Sequence, residues 1–405
     1  MNGPLVGGMF SAAFLASGLD YEVTAPALAA PGTTLEAPPL LIWERRLPGA
    51  PPDTATRSET AAPVVDEQYI YVGYSGVNGV LVLDRRDGAV VYELPTQATV
   101  LTAPVLTADM LYVTDAAGYT SAFLRDRLEI GLPAWTHFSG APILSSPTVA
   151  DGVVYITNVD DLVYALDART GELKWRHAHK LEAVRVAELE LFGAPSPVVA
   201  DGSVLVGFSD GFLVALGAAD GSPRWSASIG EGVYPDLIAP PQPVGSSVVV
   251  GGYSEPLLSL DPTTRAVQWR LDIGSSSPFT LEGETLWHGG PDGILRRIDA
   301  RAGNVVWEWD SGTGGSITRP IPTAQGLLVA SSEGSMYLVD PATGTTRWTF
   351  DPGFLLTGIS GMPAVDGGTI YAVSNGGVLY ALRGGEGTPT AAPDADVAWV
   401  SPAWR

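Results

Sequence analysis

The sequence contains no cysteine among its 405 residues. Disulfide bonds, thiolate metal sites, c-type haem attachment and acylation at cysteine are therefore excluded, because each needs a cysteine sulfur. Positive charge is also scarce, since 22 Lys and Arg stand against 44 Asp and Glu and give a net charge of -22. A chain of this charge repels nucleic acid and anionic lipid surfaces, so we do not expect either as a partner.

Several familiar motifs are missing as well. The chain has no P-loop, H-E-x-x-H or EF-hand sequence, which leaves no phosphate-binding, metalloprotease or calcium-loop motif to follow. What it has instead is 48 Gly and 33 Pro, spread along the chain rather than clustered. This distribution indicates many turns, and with 45% hydrophobic residues it favours an all-β fold with a large core.

The amino-terminal segment is apolar and uncharged between residues 4 and 19. Such a run fits the hydrophobic region of a secretory signal or a short membrane anchor, although no basic region precedes it. Residues 15–18, L-A-S-G, resemble a lipobox with glycine at the cysteine position, and residues 27–29 offer an A-x-A cleavage site. We expect residues 1–40 to be an export or anchor segment and a linker, with cleavage and retention of residues 1–30 both open.

One phrase, V-Y-A-L-D-A-R-T-G-E-L-K-W-R at residues 163–176, recurs along the chain. Units of this type lie at residues 81–92, 164–175, 214–225, 258–269, 296–307 and 337–348, and a degenerate unit ends at Trp135. Two further short strands precede most of these units. Four short strands in each stretch of roughly 40 to 45 residues are typical of a β-propeller blade.

Each recurring residue has a structural role in this interpretation. The Asp of the turn accepts backbone N–H bonds, and the Gly supplies a positive φ that reverses the chain. The Trp buries its ring between neighbouring blades, where truncation to alanine costs about 3 to 5 kcal/mol. We therefore interpret the phrase as blade architecture rather than as a ligand site.

The number of blades follows from the aromatic residues that end the units. There are seven of them: Tyr92, Trp135, Trp175, Trp225, Trp269, Trp307 and Trp348. An eighth set of strands, at residues 362–382, lacks its own fourth strand. Residues 41–47, which carry Trp43, are predicted to supply that strand, and residues 397–400 compete for the same place.

The prediction is thus an all-β, eight-bladed β-propeller of four-stranded blades over residues 41–383, with the ring closed by an N-terminal strand. Residues 384–405 are left as a C-terminal tail. Ring closure of this kind removes exposed sheet edges.

Few side chains invite a catalytic interpretation. The chain has four histidines, His137, His177, His179 and His288. His177 and His179 share one face of a strand, but no third ligand lies nearby in the sequence, so a polar blade edge is favoured over a metal site. Residues 160 and 161, both Asp, occupy the position that residues 209–211 and 291–293 fill in other blades, so a hairpin turn is favoured over an acid and base pair. We predict no catalytic residue, no metal site and no cofactor.

The repeat resembles that of quinoprotein dehydrogenases, which bind pyrroloquinoline quinone (PQQ). Those enzymes are usually longer, and they hold calcium through acidic and amide residues, often beside a vicinal cysteine pair. No blade of this chain carries an insertion that gathers such ligands. An exported PQQ-dependent or ligand-binding enzyme is therefore the first alternative rather than the main prediction.

A second resemblance concerns residues 191–216, L-F-G-A-P-S-P and the following blade strands, and the shortened lead at residues 273–287. Both are similar to segments of the BamB family, periplasmic scaffold lipoproteins of the outer-membrane β-barrel assembly machine. The resemblance implies a non-enzymatic, protein-binding scaffold of the periplasm or cell envelope, with a BamA-like barrel assembly subunit as partner. Membrane association would then occur through that partner or the N-terminal segment. A structural subunit of another envelope complex is the second alternative.

The same resemblance implies where a partner binds. The family's apolar docking loop corresponds to residues 186–193, with Leu189, Leu191 and Phe192 at the matching positions, although the family commonly has arginine in place of Phe192. A neighbouring acidic loop corresponds to residues 233–237, where Asp236 is the one acidic counterpart. The first loop lies in the longest gap between successive terminal aromatics inside the array, Trp175 to Trp225, and added loop length often carries function. The alternative is that these leucines alternate inward along a strand and cover a blade edge.

Overall fold

The computed structural model describes residues 39–50, 60–179, 195–230, 236–253, 255–352 and 358–383. Within these ranges the chain forms eight antiparallel sheets of four strands each, with one 3-10 helix at Arg125–Ile130. The prediction of an all-β, eight-bladed propeller is confirmed. Blades are numbered here in chain order, starting from the first complete sheet.

Blades 1 to 4 contain sixteen of the strands. Their bounds are β2 (Val64–Val65), β3 (Tyr69–Gly73), β4 (Gly79–Asp84) and β5 (Val90–Pro95) in blade 1; β6 (Val105–Leu106), β7 (Met110–Thr114), β8 (Tyr119–Leu124) and β9 (Trp135–Phe138) in blade 2; β10 (Thr148–Ala150), β11 (Val153–Thr157), β12 (Leu162–Asp167) and β13 (Leu173–Ala178) in blade 3; and β14 (Val198–Ala200), β15 (Ser203–Gly207), β16 (Phe212–Gly217) and β17 (Pro223–Ser228) in blade 4.

Blades 5 to 8 contain the other sixteen. Their bounds are β18 (Gln242–Val244), β19 (Ser247–Val250), β20 (Leu257–Leu260) and β21 (Val267–Leu271) in blade 5; β22 (Thr280–Glu282), β23 (Thr285–Gly289), β24 (Ile294–Asp299) and β25 (Val305–Asp310) in blade 6; β26 (Ile321–Thr323), β27 (Gly326–Ala330), β28 (Met336–Val339) and β29 (Thr346–Phe350) in blade 7; and β30 (Ala364–Asp366), β31 (Thr369–Val373), β32 (Val378–Arg383) and β1 (Leu40–Arg46) in blade 8.

Blade 8 is assembled from both ends of the propeller sequence. Strand β1 pairs antiparallel with β32, with Leu40 opposite Arg383 and Trp43 opposite Ala381. The N-terminal strand therefore closes the ring, as predicted. Residues 397–400, the competing segment, lie outside the described residues.

The core is divided among the boundaries between blades. Eight clusters of buried apolar side chains each join two successive blades, and one of them joins blade 8 to blade 1. In that last cluster Trp43 and Tyr371 of blade 8 pack with Ile70 of blade 1. Because each sheet buries both faces against neighbours, the ring is held together by burial of apolar area rather than by a single central core.

The repeated turn has the predicted geometry. In blade 3, Asp167 Oδ1 accepts the backbone N–H groups of Arg169 and Thr170 at 3.0 and 3.1 Å, and Gly171 has a φ of 73°. The indole of Trp135 in blade 2 donates to the carbonyl of Ala168 at 3.1 Å. A Cβ on Gly171 would lie 2.6 Å from the ring of Trp135. The glycine is therefore required both by the backbone conformation and by the tryptophan packed on it.

Candidate protein-docking site

The propeller has two chemically different ends, defined by the directions of its strands. Because neighbouring strands are antiparallel, the turns between second and third strands lie at the same end as the connections that lead from one blade to the next. We call this the top end, and the opposite end, with the other two turns of each blade, the bottom end. In the sequence, both loops predicted to dock a partner belong to connections from one blade to the next.

The predicted docking residues are distributed over two neighbouring connections. Leu189, Leu191 and Phe192 lie between β13 and β14, outside the described residues, and their role stays a prediction. Asp236 lies between β17 and β18 and is buried, with 8% of its surface exposed. In the sequence, the two predicted loops precede and follow blade 4.

His179, the last residue that the structure describes before the first predicted loop, is anchored to blade 4. His179 follows β13, and its Nε2 lies 2.9 and 3.1 Å from the two carboxylate oxygens of Asp210. Its ring also stacks on Phe208, with 4.1 Å between ring centroids and an interplanar angle of 7°. These contacts join the end of blade 3 to the turn at residues 208–212, which connects β15 to β16.

A second carboxylate strengthens the same junction. Asp161 is 2% exposed, and its carboxylate accepts the hydroxyl of Ser209 at 2.6 Å and the backbone N–H of Ser209 at 3.3 Å. The backbone carbonyl of Asp161 accepts the N–H of His179 at 3.1 Å. Such bonds offset the cost of burying a carboxylate. Asp161 has a φ of 57° in the turn between β11 and β12, which confirms the predicted hairpin turn.

The second connection is fixed to the same turn of blade 4. On one side, the N–H of Ile229 donates to the carbonyl of Gly211 at 2.8 Å; on the other, the N–H of Leu237 donates to the carbonyl of Phe208 at 3.4 Å. A Cβ on Gly207 would lie 2.7 Å from Cβ of Leu237. The turn at residues 208–212 therefore contacts His179, where the first connection begins, and both described ends of the second connection, and forms a common base for them.

Sequence reasoning did not find this base. It placed residues 160–161 and 209–211 at the same position of two successive blades, which was the available signal, because equivalent turns of neighbouring blades are adjacent in a propeller. It did not connect His179 to Asp210 across that boundary. The carboxylates and the imidazole are used in mutual hydrogen bonds, which suits them to positioning chain segments.

The other histidines lie apart from this base. Burial lowers the pKa of His137 and of His177, and for His177 the nearby His179 adds to the effect. Within the described ranges, no group of three or more His, Cys, Asp or Glu side chains could hold a metal ion. No helix in this part of the chain has the length and hydrophobicity needed to cross a membrane.

Comparison with known proteins agrees with this architecture. BamB of Yersinia pestis is 24% identical over 256 residues, which cover 62% of this chain and 64% of the relative, slightly less than two thirds of its length. The crystal structure of BamB from Moraxella catarrhalis superposes with a TM-score of 0.68 at 16% identity, covering 85% of this chain and 99% of that chain. A quinohemoprotein alcohol dehydrogenase from Pseudomonas putida also gives a TM-score of 0.68, at 13% identity and with 91% and 80% coverage. At such identities, the two superpositions establish the fold alone.

The family model carries the assignment. The model described as outer membrane protein assembly factor BamB matches residues 40–129, 127–308 and 291–400, and so includes every blade. The chain belongs to this BamB family of PQQ-like repeat propellers.

Proposed function

We propose that this protein is a non-enzymatic, protein-binding scaffold of the cell envelope and that it contributes to outer-membrane β-barrel assembly. The observation that carries the proposal is the convergence of two blade connections on one turn of blade 4, in a chain of the BamB family. The buried pair His179–Asp210 and the bond from Ser209 to Asp161 hold that turn in place. A rigid base that fixes adjacent loops is suited to presenting them to a protein.

The first connection supplies the docking residues in this proposal. Leu189, Leu191 and Phe192 alternate with Glu188 and Glu190, so the segment combines an apolar edge with negative charge. An edge of this kind is suited to strand pairing or to an apolar groove on a partner. Asp236 contributes from the second connection, where its buried position makes it a support for the loop more than a contact surface.

Replacing both leucines, Leu189→Asp and Leu191→Asp, is expected to abolish co-purification of the partner while the melting temperature stays within about 3 °C of wild type. Each added carboxylate costs at least about 1.4 kcal/mol when it is buried in an apolar groove. This cost lowers the affinity for the partner by at least roughly tenfold per substituted residue. The measurement is affinity purification of the full chain from its native envelope, with each variant in the place of wild type, followed by identification of bound proteins.

The matched control makes the same change at the bottom end. Leu132 and Leu173 are 68% and 51% exposed, so Leu132→Asp with Leu173→Asp adds the same charge without touching the top end, and partner capture should persist. Retained capture in the Leu189 and Leu191 variant would exclude this loop as the docking site. A large loss of stability in that variant would mean that the leucines cover a blade edge.

The partner implied by the family name is a subunit of the assembly machinery, and a BamA-like barrel subunit is our specific proposal. Recovery of a different envelope complex would instead favour the role of a structural subunit there. Because the family relatives are named outer membrane protein assembly factors, we propose that the protein works in the periplasm or elsewhere in the cell envelope. Fractionation of native cells tests that location directly.

An exported PQQ-dependent enzyme is the second candidate, since a quinohemoprotein alcohol dehydrogenase has the same propeller fold. Calorimetric titration of the purified chain with PQQ and calcium is expected to give no saturable heat. The reasons are the absence of cysteine and of an acidic metal-ligand group among the described residues. Binding in the micromolar range would overturn the non-enzymatic proposal.

A further inference from the structure

A second feature, far from the docking loops, lies at the bottom end where blade 8 meets blade 1. A cavity of about 670 Å³ opens there, and its lining includes three arginines, Arg85, Arg86 and Arg383, together with Trp43 and Tyr371. Pockets that bind small molecules usually have volumes of roughly 300 to 1,000 Å³. The cavity is therefore large enough for a small organic ligand.

The cavity lies at the ring closure. In each of blades 1 to 7 the chain itself joins the third strand to the fourth, whereas in blade 8 the third strand ends at Arg383 and the fourth begins at Leu40. Leu40 and Arg383 are opposite each other in the ladder. The wall of the cavity thus combines Ile42 and Trp43 from the first strand of the chain with Arg383 from the last.

Arg85 is a departure from the repeat. The equivalent turn position in blades 3, 4 and 6 is alanine, at Ala168, Ala218 and Ala300. Arg85 instead donates through Nε to the hydroxyl of Tyr371 at 2.9 Å, and it forms an ion pair with Asp366 of blade 8. The guanidinium is therefore fixed across the boundary between the two blades, which a purely architectural turn does not require.

The other two arginines are available to a ligand. The side chain of Arg86 is 89% exposed and pairs with Asp84, and exposed pairs of this kind contribute only about 0 to 1 kcal/mol, so an incoming anion can displace the aspartate. Within the ranges that the structure describes, Arg383 has no ion pair. Glu67 is the one acidic residue among those that line the cavity, while Asp84 and Asp366 lie next to it and pair with Arg86 and Arg85.

We propose that this cavity binds a small organic molecule that carries a phosphoryl or carboxylate group. Guanidinium groups bind such oxyanions through paired, charge-assisted hydrogen bonds, and the apolar part of the ligand lies against Ile42 and Trp43. Since the site contains residues from both ends of the propeller sequence, the bound ligand joins those ends. It therefore stabilises the closed ring, because a ligand that binds only the folded state raises its stability.

The test uses inorganic phosphate and citrate as probes of the two oxyanion classes, each titrated into the full chain at constant ionic strength with chloride as the balancing anion. Saturable binding near one equivalent is expected by calorimetry, with a rise in melting temperature of about 2 to 4 °C at saturation. The probe with the lower dissociation constant identifies the oxyanion class. Constant ionic strength matters because added salt also screens the repulsion within this acidic chain.

The variant Arg86→Gln with Arg383→Gln is expected to weaken probe binding at least tenfold. Arg169→Gln is the matched control, because Arg169 occupies in blade 3 the turn position that Arg86 occupies in blade 1, and it should bind as wild type does. Thermal unfolding in chloride, without either probe, verifies that the double variant folds. If the double variant does not fold, the single variant Arg383→Gln is used in its place. Equal binding by the arginine variant and wild type, or no saturable binding of either probe, would overturn the proposal.

Discussion

Removing strand β1 is expected to open the ring and to lower the melting temperature by more than about 10 °C. Deletion of residues 1–47 removes Trp43, which is 7% exposed and belongs to the apolar cluster between blades 8 and 1. Truncating one buried tryptophan costs about 3 to 5 kcal/mol, and the deletion also removes the ladder between β1 and β32. Thermal unfolding followed by circular dichroism measures the effect.

Two shorter deletions separate the strand from its neighbours in the sequence. Removing residues 1–38 leaves β1 intact, and removing residues 384–405 leaves β32 intact, so both chains should melt close to wild type. Trp43→Ala should give a large part of the loss by itself, because its ring packs on the turn that contains Gly88. If the chain without residues 1–47 melts as wild type does while the chain without residues 384–405 does not, the carboxy-terminal segment closes the ring.

The fold could be predicted because the same few residues perform the same task in blade after blade. The carboxylate of Asp167 accepts a backbone N–H of the turn, and Gly171 provides the left-handed conformation. Trp135 covers the turn from the preceding blade. A residue that recurs at fixed spacing reports a contact that also recurs. The blade count followed from the seven terminal aromatics. The ring closure followed from Trp43, which has the position in its strand that a terminal aromatic has in the other blades.

The base of the candidate docking site could not be predicted in the same way. The contact between His179 and Asp210 occurs in one place and crosses from one blade to the next, so no repetition signals it. Arg85 is similar, since it stands where blades 3, 4 and 6 have alanine, and its partners Tyr371 and Asp366 are far from it in the sequence. In a repeat protein, residues that depart from the consensus are the ones to examine for function.

His288 is another such departure, and it makes stability depend on pH. It lies on β23 of blade 6, is 0% exposed, and stacks on Phe279 with 5.8 Å between ring centroids. Burial, helped by the nearby charge of Arg296, lowers the pKa of His288 from 6.5 to about 4, while Asp292 and a hydrogen bond with the backbone of Gly274 oppose the shift. The folded protein therefore keeps this imidazole neutral at pH values where the unfolded chain has already protonated it.

The direction of the effect follows from the two pKa values. As the pH falls from 6.5 to 4 the unfolded chain binds a proton that the folded protein does not, so the free energy of unfolding decreases across this range and the loss levels off below pH 4. A difference of roughly 2.5 pKa units corresponds to about 3 kcal/mol. His288→Leu removes the titrating group while keeping an apolar side chain of similar volume.

Urea unfolding of both chains at pH 8, 6.5, 5 and 4 is expected to show that wild type loses about 3 kcal/mol more than His288→Leu between pH 8 and 4. The control is Leu286→Ala on the same strand, where the side chain is also 0% exposed. That change removes packing but no titrating group, so its curve should run parallel to wild type at a constant difference of about 2 to 5 kcal/mol. If the stability curve of His288→Leu also runs parallel to that of wild type, protonation of this histidine does not cause the acid-dependent loss of stability, which then arises from other groups.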